Sequence, residues 1–150
     1  MSSEKTVLCT FTRKRINLPN EFHITNEVTI LYKNSVKYLG VLLDKKLLWK
    51  DHIQHTTKRA ENSINLLRVF THQKWGADPN IALTFYKSYV RSLLDYACQF
   101  YGVASQTHLS KIEKIKSKCL RLCVGYLSST TINVIEAENA EPPLVFEEII

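Results

Sequence analysis

The chain has 150 residues, 45% apolar and 23% charged, which are values of a folded globular chain and exclude a disordered or collagen-like one. No apolar run approaches the roughly 18 residues that a membrane span needs, and residues 1–15 lack the apolar core and small-residue cleavage site of a signal peptide. All 20 basic residues lie in residues 1–125 beside 9 acids, a net +11, whereas residues 126–150 hold five Glu and no base; this segregation predicts a polyanion-facing body with an acidic end.

The chain reads as strands first. Residues 7–12 are rich in β-formers, with Val7, Cys9 and Phe11 on one face. Residues 16–26 hold Asn17, Pro19, Asn20 and Asn26 and predict a loop with one short strand at Phe22–Ile24. The stretches 27–32 and 36–43 predict further strands, with Asn34-Ser35 as the two-residue hairpin turn between them.

Helical spacing begins after Asp44. Ile53, Thr57, Ala60, Ile64 and Leu67 form one stripe of a helix over about 50–72. The sequence Trp75-Gly76-Ala77-Asp78-Pro79 breaks it, with Asp78 suited to an N-cap and Pro79 to the first helical position. From Pro79 to about Tyr101, 14 of 23 residues are apolar, and the polar residues Asn80, Thr84, Ser88, Arg91, Asp95 and Gln99 fall on one narrow stripe. That pattern predicts a single, mostly buried central helix with Gly102 as its stop. A third helix over about 107–124 has the apolar stripe Ile112, Ile115, Cys119 and Leu122, and Gly125 ends it. A short fourth fits 131–138, N-capped near Thr130, and Pro142-Pro143 forbids its continuation. Residues 144–150 open a new apolar pattern and stop, which predicts a truncated product. The expected fold is α+β: a small N-terminal antiparallel β-hairpin or sheet over residues 1–44, a bundle of three to four helices over 45–141, and the start of a further helix at 142–150.

The search for catalytic motifs is mostly negative. The four glycines, at 40, 76, 102 and 125, are isolated, so no phosphate-cradling loop is present, and GxSxG, HExxH and CxxC are absent. His52 and His55 read as a surface pair on the first helix, because a structural zinc needs four ligands. Cys9, Cys98, Cys119 and Cys123 show no tight framework and read as reduced thiols, the last two as core fillers one turn apart. Asp44, Asp51, Asp78 and Asp95 are all isolated, whereas two-metal nucleotidyl transfer needs clustered carboxylates; no catalytic or metal-ligating residue is predicted. Asp95 and Arg91, one turn apart, read as an internal ion pair.

The positive signal is basic. Lys111, Lys114, Lys118 and Arg121 recur at intervals of 3, 4 and 3 beside the apolar stripe of the third helix. A second cluster is Lys45, Lys46, Lys50, Lys58 and Arg59, and Lys74 with Trp75 sets a cation beside an aromatic. Evenly spaced cations on a helix track phosphates with salt-dependent, sequence-tolerant affinity; the competing reading is a solvated helix face.

One block runs Val36-Lys37-Tyr38-Leu39-Gly40-Val41-Leu42-Leu43-Asp44 and continues through Leu48-Trp49-Lys50-Asp51-His52-Ile53. Two further pieces follow in order: Trp75-Gly76-Ala77-Asp78 with Tyr86, Val90-Arg91-Ser92 and Leu94-Asp95-Tyr96, and Leu109 through Leu122 with Thr131-Ile132-Asn133, Glu138 and Pro142-Pro143-Leu144. Lys5-Thr6 with Phe11-Thr12-Arg13-Lys14-Arg15 precedes them. Read end to end, these pieces resemble the C-terminal part of a jockey-like non-LTR retrotransposon reverse transcriptase. The first block is the strongest and is similar to the one that follows the palm and includes the primer-grip hairpin, and the stretch from Lys5 to Arg15 is similar to one just beyond the catalytic hairpin. The resemblance puts Lys5 where a lysine is proposed to assist proton transfer to pyrophosphate, without the partners for that role. The fingers, most of the palm and the YxDD pair have no counterpart in these residues.

The resemblance therefore implies descent from an RNA-directed DNA polymerase without activity in this chain alone, a palm-remnant hairpin and a thumb-like helical region. The parent would use Mg, and no cofactor is expected here. Tyr38, Leu39 and Gly40 would lie against a primer backbone, and the two basic clusters would hold primer–template phosphates. The alternative is a non-catalytic interaction module or inert pseudogene product, whose partners would be the missing palm and fingers or a second copy. Localisation is expected to be intracellular, nuclear or cytoplasmic.

Overall fold

The computed structural model describes residues 6–14, 21–25, 28–71, 76–142 and 144. Lys5, Arg15, Lys74, Trp75 and residues 145–150, on which some of the expectations fall, lie outside them. The chain is α+β and divides into two compact units, Met1–His52 and Ile53–Ile150.

Among its described residues the first unit holds five short strands: β1 (Val7–Leu8), β2 (Glu21–Thr25), β3 (Val28–Tyr32), β4 (Ser35–Tyr38) and β5 (Val41–Asp44). One sheet has the order β1-β3-β2, in which β1 runs parallel to β3 and β2 antiparallel to it. This sheet is mixed where an antiparallel one was expected, and the strand expected over 7–12 ends at Leu8. The other sheet is the β4–β5 hairpin, with Ser35 opposite Asp44 and Tyr38 opposite Val41.

The hairpin corrects the sequence reading. The turn lies at Leu39-Gly40, inside the run expected to be one strand, and Asn34-Ser35 does not join a paired β3 and β4. Both central residues have positive φ, 45° and 83°, as a two-residue turn matching right-handed strand twist requires. Glycine adopts that region freely, but leucine does so at a cost. An apolar residue in the turn therefore hid it inside a β-rich run.

Asp44 ends β5 and organises the loop after it. Its carboxylate accepts backbone N–H bonds from Trp49 at 2.9 Å, Leu48 at 3.0 Å and Lys46 at 3.3 Å, while its carbonyl accepts from Leu47 at 2.9 Å. Leu47 and Trp49 take positive φ within this loop. Trp49 is buried and meets the His52 ring edge-on, and His52 Nδ1 accepts the Leu42 N–H at 3.3 Å. The aspartate, tryptophan and histidine of the strongest sequence block thus form one local lock.

Helix α1 (Lys50–Phe70) buries the expected stripe, Ile53, Thr57, Ala60, Ile64 and Leu67. Burying Ile53, Ile64 and Leu67 contributes roughly 5–9 kcal/mol on transfer scales. His52, expected at the surface, is buried beneath Trp49 at the start of this helix.

The single helix expected over 79–101 is broken. It comprises α2 (Pro79–Phe85), a π-helical segment (Tyr86–Arg91), α3 (Ser92–Asp95) and, beyond Tyr96-Ala97, α4 (Cys98–Tyr101). Asp78 caps α2 as expected, with Oδ1 accepting the Asn80 N–H at 2.8 Å. Ala82, Tyr86, Val90, Leu94 and Cys98 are buried at a strict interval of four, while Ile81, Tyr89, Tyr96 and Phe100 are exposed. An α-helix of 3.6 residues per turn would drift away from a four-residue repeat; the wider π turn slows that drift. The buried face is therefore narrow. Ala97 takes a left-handed conformation at the break, and the Tyr101 hydroxyl donates to the Leu94 carbonyl across it.

Helix α5 (Gln106–Val124) ends at Gly125, whose φ of 75° suits glycine. Helix α6 (Ile132–Glu138) comes next. Residues 139–142 are tied to the broken helix by charge: Arg91 Nε donates to Asp95 at 3.1 Å, and its Nη1 donates to Glu141 at 2.5 Å and to the Pro142 carbonyl at 2.8 Å. Lys87 lies 3.7 Å from the buried Glu141 carboxylate. The expected Arg91–Asp95 ion pair is thus part of a larger knot.

Candidate nucleic-acid interface

Helix α5 directs its cations through its apolar periodicity. Leu109, Ile112, Ile115, Cys119, Leu120 and Cys123 are buried, which leaves Lys111, Lys114 and Lys118 on the exposed side. These lysines line a cleft of about 270 Å³ between α5 and α1, with Ile115 at its base and Thr57, Glu61 and Ile64 opposite. Glu61 is the sole acid among the described lining residues. The cleft can receive a linear polyanion along α5.

Arg121, the fourth member of the predicted stripe, is directed elsewhere. Its Nη2 donates to the Thr130 carbonyl at 2.9 Å, fastening the end of α5 to the turn that precedes α6. Lys116 lies on the buried face and forms an ion pair with Glu136 of α6 at 2.9 Å. Only proximity in the fold reveals that pairing, since the two residues are 20 positions apart in different helices.

The second cluster divides. Lys45 and Lys46 lie in the turn after β5, and Lys50 opens α1. Lys45 Nζ sits 5.8 Å from the centre of the Tyr32 ring, within cation–π range. Lys58 and Arg59 are exposed on the part of α1 in the second unit, where Arg59 borders a separate cleft of about 330 Å³ with Asn62, Ser63, Leu66 and Tyr89. Tyr38 and Leu39 are 65% and 74% exposed, and Gly40 completes the β4–β5 tip with them.

Arg13 belongs to neither basic cluster of the sequence; with Phe11 and Thr12 it lines a concavity of about 190 Å³ whose other wall is Lys45, Lys46 and Leu47. The two walls are more than 30 residues apart in sequence, so no local spacing announces them.

Cys119, Cys123, Tyr86 and Tyr101 are buried. Burial pushes the thiols of Cys119 and Cys123 up to about 12. Burial, and then Glu141, raises the Tyr86 phenol; burial does the same for Tyr101. All four cysteines are free thiols. Among the described residues no three of His, Cys, Asp and Glu come together as a metal-binding group, and no helix is long and apolar enough to cross a membrane.

Comparison with known proteins gives consistent relatives. The chain is 31% identical to a probable RNA-directed DNA polymerase from transposon X-element of Drosophila melanogaster, over 99% of this chain and 16% of that protein. It is 35% identical to the RNA-directed DNA polymerase from mobile element jockey of Drosophila funebris, over 67% of this chain and 11% of the relative. A probable RNA-directed DNA polymerase from transposon BS of Drosophila melanogaster is 28% identical over 89% of this chain and 15% of the relative. The chain thus spans about one sixth or less of the length of these relatives. No family model matches it, and no solved structure does.

Proposed function

The chain belongs to the jockey-like non-LTR retrotransposon reverse transcriptases, and we propose that its helical unit serves the polymerase as a thumb-like grip on the sugar–phosphate backbone of a primer–template duplex. The observation that carries this reading is the α1–α5 cleft, with Lys111, Lys114 and Lys118 along one wall. At 1.5 Å of rise per residue the three ammonium groups are carried over about 10 Å of helix. That length of duplex offers more phosphates than the lysines can neutralise, so all three can be engaged. Lys58 and Arg59 extend the basic surface of the same unit.

The reading assigns binding rather than bond-making because three of the four aspartates are committed elsewhere and the fourth, Asp51, stands exposed on α1. Asp44 holds loop amides, Asp78 caps α2 and Asp95 pairs with Arg91. In the same reading the Tyr38-Leu39-Gly40 tip rests against the primer strand, where a residue without Cβ permits close approach. Lys45, Lys46 and Lys50 supply further cations beside that hairpin.

The test is fluorescence anisotropy with a primer–template duplex over a salt series. Three released counterions give a slope of log affinity against log salt of about −2.7 from the cleft alone. Replacing Lys111, Lys114 and Lys118 together by Glu should abolish that contribution. Absence of binding at low salt, or an unchanged affinity in the triple variant, refutes the proposal.

A second reading, a protein-interaction module, draws on the exposed Tyr89, Tyr96, Phe100 and Val103. Apolar surface of that kind associates with partners or with itself. Self-association that persists at high salt, with no affinity for the duplex, would favour it.

A further inference from the structure

We propose that the concavity in the first unit, lined by Phe11, Thr12, Arg13, Lys45, Lys46 and Leu47, is a binding site for one unpaired nucleotide of a single-stranded nucleic acid. This site is distinct from the α1–α5 cleft and stands on separate observations. Its walls come from the segment after β1 and the turn after β5, and the Thr12 N–H donates to the Lys45 carbonyl at 2.9 Å between them.

The Lys45 wall is held in shape. Lys45 N–H donates to the Asn34 carbonyl at 2.8 Å, Leu47 N–H to the Asp44 carbonyl at 2.9 Å, and Lys46 N–H to the Asp44 carboxylate at 3.3 Å. The Tyr32 ring lies beneath the Lys45 ammonium, and its hydroxyl is 3.2 Å from Thr10 Oγ1. Three cations and the 48% exposed Phe11 therefore border a preformed space, and none of its described lining residues is acidic.

That set of groups dictates the chemistry of the ligand. A space of about 190 Å³ is smaller than the ~300 Å³ at which sites for drug-sized ligands begin. It suits one planar group rather than a whole duplex edge. An exposed phenyl ring offers a stacking face to a nucleobase, and stacking of that kind is tolerant of sequence. A base within a duplex has both faces covered by its neighbours, so the ring selects an unpaired one. Arg13 supplies a planar fork for phosphate oxygens, and Lys45 and Lys46 supply point charges.

The full chain is tested by fluorescence anisotropy with labelled oligothymidylate, an abasic strand of equal length, and a blunt duplex. Oligothymidylate should bind more tightly than the abasic strand. Phe11→Ala should weaken oligothymidylate binding about fivefold or more and leave the abasic strand and the duplex unchanged. Phe11→Tyr should retain the wild-type affinity, which separates loss of stacking from loss of fold. Arg13→Gln should weaken both single strands and reduce the salt slope by about 0.7. The proposal is overturned if the abasic strand binds as tightly as oligothymidylate, or if Phe11→Ala lowers duplex affinity equally. It is likewise overturned if oligothymidylate binding ignores Phe11 and Arg13 and disappears when Lys111, Lys114 and Lys118 become Glu. Failure of the duplex-binding proposal alone would leave the Phe11 effect on single strands in place.

Discussion

Replacing Asp44 by Asn changes one atom of the carboxylate and tests whether this residue is an anchor of the loop. In the native lock, Oδ1 accepts the Trp49 N–H at 2.9 Å, and Oδ2 accepts from Leu48 at 3.0 Å and Lys46 at 3.3 Å. Asparagine retains one carbonyl oxygen for Trp49, but it presents NH₂ where two N–H groups expect an acceptor. Hydrogen bonds to a charged acceptor contribute about 1.5–3 kcal/mol each. The Leu48 and Lys46 bonds are exposed, and the second is long, so their joint loss is smaller, about 2 kcal/mol. The assay is urea denaturation followed by tryptophan fluorescence, because Trp49 is buried by the same lock. The expected result is a lower midpoint of that transition with an unchanged slope. Removal of a negative charge would by itself strengthen attraction to nucleic acid, so weaker oligothymidylate binding by Asp44→Asn would report the deformed Lys45–Leu47 wall. A midpoint change worth less than about 0.5 kcal/mol would refute the reasoning, since that is the range of substitutions that touch nothing.

The Lys116–Glu136 pair, a buried lysine with a half-buried glutamate, should behave asymmetrically. Glu136→Leu alone should cost about 3 kcal/mol by leaving the buried Lys116 without its anion, whereas Lys116→Met with Glu136→Leu should come close to wild type, and a double-mutant denaturation cycle measures the difference. Stability should also fall in alkali. The thiols of Cys119 and Cys123 ionise near 9.0 in an unfolded chain and near 12 in the fold, so above pH 9 the unfolded state binds fewer protons and each thiol removes about 1.4 kcal/mol per pH unit until its folded value is reached. Urea midpoints compared between pH 8 and pH 10 should therefore drop less in Cys119→Ala/Cys123→Ala than in the parent chain; equal drops would contradict burial as the cause.

Residues of the second and third sequence blocks meet in the fold. Arg91 and Asp95 of the second and Pro142 of the third join one knot, in which Arg91 is shared by Asp95, Glu141 and the Pro142 carbonyl. Breaking such a buried arrangement at one member leaves an uncompensated charge, so its members depend on one another. The same interdependence holds for Asp44, Trp49 and His52 in the first block.

Periodicity alone determined the α+β order, the buried stripe of α1, the Asp78 cap, the Gly125 stop and the exposure of Lys111, Lys114 and Lys118. Each of these depends on residues within a turn or two of one another, where backbone geometry converts spacing directly into a shared face. Tertiary structure decided the rest. It placed the hairpin turn at Leu39, which no turn chemistry marks, and broke the helix after Asp95 so that Tyr96 and Phe100 face outward. It drew Lys116 to Glu136 and Arg121 to Thr130, and it brought Arg13 to Lys45. Those outcomes rest on contacts between groups distant in the chain, and the energy of such a contact exists only after the fold has brought its partners together.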